Sequence, residues 1–96
     1  MTDSTRPAVL RINPRDNVCV ALRALKAGQV AAFGDGAIEV QQDVPLGAKL
    51  ALRPVTRGEK IIKMGEPIGS TTASIAAGQH VHTHNMKSDY LPTRAP

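Results

Sequence analysis

The sequence predicts a small all-β domain, a folded-over unit of short strands and tight turns, and three observations carry that prediction. Its large apolar residues are mainly Val, Leu and Ile, with one Phe, one Tyr and no Trp, while eight Gly and seven Pro are many for 96 residues. That mix suits short strands and frequent turns better than long helices. Apolar residues also alternate in short runs, most cleanly in Lys49-Leu50-Ala51-Leu52-Arg53, the period of a half-buried strand. Finally, one segment pattern recurs three times. Leu25, Val55 and Ile75 each stand three residues before a glycine (Gly28, Gly58, Gly78), and Gln29, Glu59 or Gln79 follows that glycine at once. A β-branched apolar residue comes within the next three positions. This reads as strand, turn, strand, with glycine taking the positive φ that closes the turn. The uneven spacing of the copies argues for a folded-over unit rather than a solenoid.

The elements follow in order. Residues 8–12 read as a first strand, ended by Asn13-Pro14. Val18, Val20 and Leu22 alternate and favour a strand, although Asp16-Asn17 followed by Ala and Leu also fits a short helix over residues 16–25. Residues 37–40 form a short strand after Gly34-Asp35-Gly36. Residues 49–53 are the most central strand, and residues 61–69 read as strand, turn, strand. Residues 1–7 and 91–96 are polar, contain Pro and lack periodicity, so tails are expected on either side of a single domain over 8–90.

Charge and cysteine usage narrow the function classes. The net charge is +4 with a pI near 9.7, yet Lys and Arg are scattered, and Phe33 and Tyr90 are the only rings besides the histidines that could stack on bases. Nucleic acid is therefore not the expected partner. A carboxylate substrate or an acidic partner subunit fits better. The single Cys19 forms no intrachain disulfide. No run approaches the roughly 20 apolar residues that span a bilayer, and residues 1–7 lack an apolar signal stretch. The expectation is a cytoplasmic chain with no membrane partner; the residues leave homo-oligomerisation open.

All three histidines fall within five residues, His80-Val81-His82-Thr83-His84, followed by Asn85. On one extended strand, positions i, i+2 and i+4 share a face, so three imidazoles would line one side. Their spacing lets two rings converge on one ion, whereas three on a flat strand would be strained. Imidazole suits Zn, Fe, Ni and Cu better than Mg or Ca. The third ring would then bind substrate, carry a proton or orient its neighbour. A merely polar strand face would show the same alternation. Asn85 suits a substrate hydroxyl or carboxylate, and equally a turn that ends the strand.

The stretch from Ile62 through Gly65-Glu66-Pro67-Ile68-Gly69 to His80-Val81-His82-Thr83-His84-Asn85, together with Asp16-Asn17-Val18 and Leu25-Lys26-Ala27-Gly28, resembles the N-terminal part of the altronate and galactarate dehydratases. The resemblance covers roughly residues 8–90 and implies a SAF-type β-clip. It implies a module that works with a much larger catalytic subunit or domain, the small subunit of the sulfolactate sulfo-lyases being a related case. The chemistry implied is metal-dependent dehydration of an anionic sugar acid to a 2-keto-3-deoxy acid, with Fe(II) or Mn(II) as the divalent cation. Carried onto this chain, His82 and His84 become the expected catalytic and metal-ligating residues. His80, Asn85 and Asn17 become the expected substrate contacts, and Asp16 matches the family with a cap or turn role equally open. The chain is expected to be inactive without its large partner. Two further readings compete: a non-catalytic SAF binding module, and a small metal-handling protein.

Overall fold

A computed structural model describes residues 7–34 and 36–89; the expected tails fall almost wholly outside that range. The described residues contain strands and turns and no helix. The strands are β1 (Val9–Leu10), β2 (Val18–Ala21), β3 (Val30–Phe33), β4 (Gly36–Glu39), β5 (Lys49–Ala51), β6 (Lys60–Lys63), β7 (Glu66–Thr71), β8 (His80–Val81) and β9 (Met86–Ser88). The alternative of a short helix over residues 16–25 is thereby corrected. β-Branched Val18 and Val20 favour the pleat, and Asp16 and Asn17 are engaged by distant backbone rather than capping a first turn.

The central sheet runs β1-β2-β5-β8, antiparallel throughout. Successive side chains of a strand leave on opposite faces, and here each face has its own core. Cys19, Ala21 and Leu50 join Val9, Leu25, Ala31, Ile38, Val40 and Val44 on one side, closed by the β3–β4 hairpin. Val18, Ala51 and Val81 join Val55, Ile61 and Ile75 on the other, with Ile68 and Met86 from the β6-β7-β9 sheet against them. The central strands are therefore covered twice, which explains why Leu50 and Ala51, adjacent in sequence, are both fully buried.

The turns show the physical content of the repeat. Gly28, Gly47, Gly58 and Gly78 have φ between +84° and +92°, the value that the third position of a type II turn requires. The residue after each glycine donates its N–H back to the carbonyl three residues before it: Gln29 to Lys26, Ala48 to Pro45, Glu59 to Thr56 and Gln79 to Ala76. There are thus four copies, not three. They pair in twos through mutual backbone bonds between Leu25 and Val44 and between Val55 and Ile75. In three copies the Gln or Glu side chain accepts the N–H of Lys26, Thr56 or Ala76 at 2.5–2.8 Å. In the fourth, Pro45 occupies that position and has no N–H to satisfy, so Ala48 suffices.

Two buried polar residues fasten β2 to the β6–β7 hairpin. Asp16 accepts the N–H groups of Asn13, Met64 and Gly65 at 2.8–3.0 Å. It thereby fixes a two-residue turn whose residues both have positive φ, Met64 at +56° and Gly65 at +77°. Asn17 accepts from Ile62 N–H at 2.8 Å and donates to the Lys60 carbonyl at 2.9 Å, filling the register shift of β6 between Ile61 and Ile62.

Candidate functional site

The histidine segment is not one extended strand. Only His80 and Val81 are strand; residues 82–85 form a turn closed by Asn85 N–H donating to the His82 carbonyl at 3.0 Å. The physical reason is Asn85, a residue that bonds its neighbours' backbone and so favours turns. Its buried side chain accepts the His82 N–H at 2.9 Å and donates to the His80 carbonyl at 2.8 Å. The same residue's carbonyl receives the Thr72 N–H, tying the turn to the end of β7.

The turn gathers the rings by a different route from strand alternation. The His80 ring stacks on His82, with centroids 5.7 Å apart and planes 8° from parallel. It also meets His84 at 5.5 Å with planes tilted by 55°. His80 is half-buried and common to both contacts, while His82 and His84 are exposed. His80 N–H donates to Gln42 Oε1 at 3.2 Å, so the end of β8 is anchored to the segment after β4.

Burial, followed by the neighbouring His84, His82 and Lys49, holds His80 below the ordinary imidazole range. Its neutral form is favoured near neutral pH, as a ligand or a proton acceptor requires. Lys49, beside it on β5, is itself lowered by burial and by Lys63. The rim therefore combines imidazoles with the Lys49 ammonium, a setting that favours a carboxylate ligand.

Imidazole nitrogens are suitable donors for Fe or Zn. Among the described residues no group of three or more His, Cys, Asp or Glu is placed to hold a metal. A metal held at His82 and His84 would therefore need donors from outside the described residues. Cys19 adds none: it lies in the core, and burial pushes its thiol up to about 12.

Asn17 lies apart from the histidines. It precedes Val18, which pairs with Ala51, whereas His80 pairs with Leu50 and the turn lies beyond the Lys49 end of β5. Both ends of its amide are bonded to β6 backbone. Asn85 is beside the histidines, and its amide likewise bonds backbone. Among the described residues no helix is long and apolar enough to cross a membrane.

The family model described as the altronate/galactarate dehydratase SAF domain matches residues 7–89. The chain is 41% identical over 80 residues to the altronate dehydratase of Escherichia coli strain K12 and 38% identical over 81 residues to that of Bacillus subtilis strain 168. Each alignment covers 83% of this chain and 16% of the relative, so the chain spans about one sixth of those enzymes. It is also 39% identical over 54 residues to the (2R)-sulfolactate sulfo-lyase subunit alpha of Paracoccus pantotrophus, covering 56% of this chain and 81% of that subunit. A clip of paired type II turns, its histidine turn in the matched region, belongs to the family of altronate/galactarate dehydratase SAF domains.

Proposed function

We propose that this chain is the SAF module of a metal-dependent hydro-lyase that dehydrates a sugar acid of the altronate or galactarate type. It would work in the cytoplasm as a small subunit or domain beside a larger catalytic polypeptide. The observation that carries the reading is the cluster of three imidazoles around His80, two of them exposed on a turn that buried Asn85 holds in place. Such a rim presents chemistry outward and leaves it incomplete.

In a β-elimination, a base removes the proton α to the carboxylate and the β-hydroxyl leaves as water. The resulting enol becomes the 2-keto-3-deoxy acid. His82 and His84 are assigned to hold the metal or move the proton, since exposed rings reach both. A bound Fe(II) or Mn(II) would stabilise the developing enolate charge. Half-buried His80, neutral at pH 7, takes the substrate hydroxyl or carboxylate, with Lys49 adding positive charge nearby. Asn85 and Asn17 enter as positioning residues, because their amides bond backbone.

The sulfo-lyase variant of this reading has its own support in the match to 81% of the Paracoccus subunit. In that variant a sulfonated hydroxy acid replaces the sugar acid. One assay addresses both. The chain is mixed with a larger dehydratase-type polypeptide, and 2-keto acid release from altronate, galactarate and sulfolactate is followed. Activity should require the chain and fall with H82Q and H84Q. No gain over the large polypeptide alone, on every substrate, refutes the proposal. Submicromolar metal binding by the isolated chain would instead favour a metal-handling role.

A further inference from the structure

A second polar surface lies at the other end of β5. Leu52 and Arg53, which follow that strand, join Arg11, Arg15, Asn17 and Phe33 around an open groove of about 320 Å³. Three arginines thus line one small volume. Each is held by a contact that leaves N–H donors over, since a guanidinium has five. The Arg11 guanidinium carbon lies 5.5 Å from the centre of the Phe33 ring. Arg15 Nη2 donates to the Gly65 carbonyl at 3.5 Å. Arg53 donates to Glu59 Oε2 at 2.6 Å and to the Pro54 carbonyl at 2.9 Å.

Among the described residues, Arg53 alone of the three has a carboxylate within ion-pair distance. The acid in the groove wall, Asp16, has its two oxygens engaged by three backbone N–H groups. Among the described residues, Arg11 and Arg15 therefore bring to the groove charge that no carboxylate pairs within 4.0 Å. Guanidinium forks match carboxylates in geometry as well as charge, and Phe33 and Leu52 supply apolar contact beside them.

We infer that this groove is where an acidic segment of the larger catalytic polypeptide docks, its Asp or Glu carboxylates meeting Arg11 and Arg15. The inference rests on the reading above that such a polypeptide completes the enzyme. Three features of the molecule select that occupant. The groove is open rather than enclosed, as an extended segment requires. Arginine beside an aromatic ring is the composition of protein-binding anchors. And the groove and the histidine turn lie at opposite ends of β5, so a chain anchored here leaves the imidazoles uncovered. The matched region forms only 16% of the altronate dehydratases, so in those proteins far more polypeptide is present to meet such a surface.

The test has two arms. In the first, the full chain is titrated with an alternating Ala-Glu decapeptide, and separately with galactarate, while backbone amide shifts are followed by NMR. Peptide shifts should concentrate at Arg11, Arg15, Phe33 and Arg53, and R11Q/R15Q should abolish them. Shifts spread equally to the distant basic cleft of Arg57 and Lys87, or a groove that takes galactarate in preference to the peptide, would overturn the inference. In the second arm, affinity for the large polypeptide is measured at about 50 and about 300 mM salt, a range over which screening weakens exposed charge contacts. R11Q/R15Q should weaken binding about tenfold or more at low salt, and R57Q/K87Q should not. A catalytically active complex of unchanged affinity in R11Q/R15Q sinks the docking groove and leaves the lyase reading standing. No complex and no activity with wild-type chain sinks both.

Discussion

Replacing Asn85 by Ala tests whether the histidine turn is held as described. The substitution removes the acceptor of the His82 N–H at 2.9 Å and the donor to the His80 carbonyl at 2.8 Å. Asn85 is buried, so both backbone groups lose a partner where water is scarce. A net hydrogen bond is worth about 1 kcal/mol, and a buried group left unpaired costs about 1–3 kcal/mol more at the upper end, so a loss of about 2–3 kcal/mol is expected. Against a total stability of about 5–15 kcal/mol for a typical domain, that is a large fraction. With a urea slope of about 1 kcal/mol per molar for a chain this small, the midpoint should fall by about 2–3 M. The rings should respond too: contacts of His80 with His82 and His84 in NOE spectra should weaken as the turn loosens. A loss below about 0.5 kcal/mol, the range of a surface substitution, with ring contacts unchanged, would refute the assignment of Asn85 as the residue that holds the site.

Three other outcomes follow from the turns and from His80. Gly28→Ala should cost about 1–2 kcal/mol, the penalty for a side chain at positive φ, because a Cβ there meets nothing within 4 Å. Gly78→Ala, at nearly the same φ, should cost more than about 3 kcal/mol, since its Cβ would overlap the Glu39 carbonyl; paired urea melts compare them. Gln79→Ala should cost about 1 kcal/mol by orphaning the Ala76 N–H. In an Ala76→Pro background, which imitates the Pro45 turn, that cost should nearly vanish, giving a clear coupling in a double-mutant cycle. In metal-free buffer, NMR titration should place the His80 midpoint below about 6.5. Unfolded His80 then binds its proton at higher pH than folded His80. Stability should therefore be full above about 6.5 and fall as pH drops toward the folded midpoint; His80→Gln should flatten that slope. Because burial is the leading cause, Lys49→Gln should recover only part of the shift.

What could be read from the sequence was what depends on neighbours. Alternation marked β2, β5 and the β6–β7 hairpin, and the apolar residue three before a glycine marked three of the four turns. The fourth escaped because the reading required Gln or Glu after the glycine. That side chain exists only to satisfy an N–H, and Pro45 lacks one. Val44 three residues before Gly47 was the remaining signal. The histidines were seen to cluster, but strand alternation gave the wrong geometry. Asn85 bonds backbone three and five residues away and bends the segment after two strand residues. Asp16 and Asn17 read locally as a cap or turn, and the resemblance adds Asn17 as a substrate contact. Their partners lie 43 to 49 residues away, beyond any periodic pattern. The groove is less legible still, since Arg11, Arg15 and Arg53 come together only when the ends of β1 and β5 are brought side by side.

The division of labour among polar residues explains why chemistry sits at the rim. Among the described residues Asp16, Asn17, Thr71 and Asn85 are the buried polar ones, and each bonds backbone. Among the described residues no buried side-chain nitrogen or oxygen lacks a partner. A domain of this size buries too little surface to tolerate unpaired polar groups inside, so every interior polar atom serves architecture. Reactive groups must then stand outside, on turns that the interior makes rigid. The outward histidines follow from that constraint, exposed on a turn that Asn85 fixes; in the function we propose, a second polypeptide would close over them.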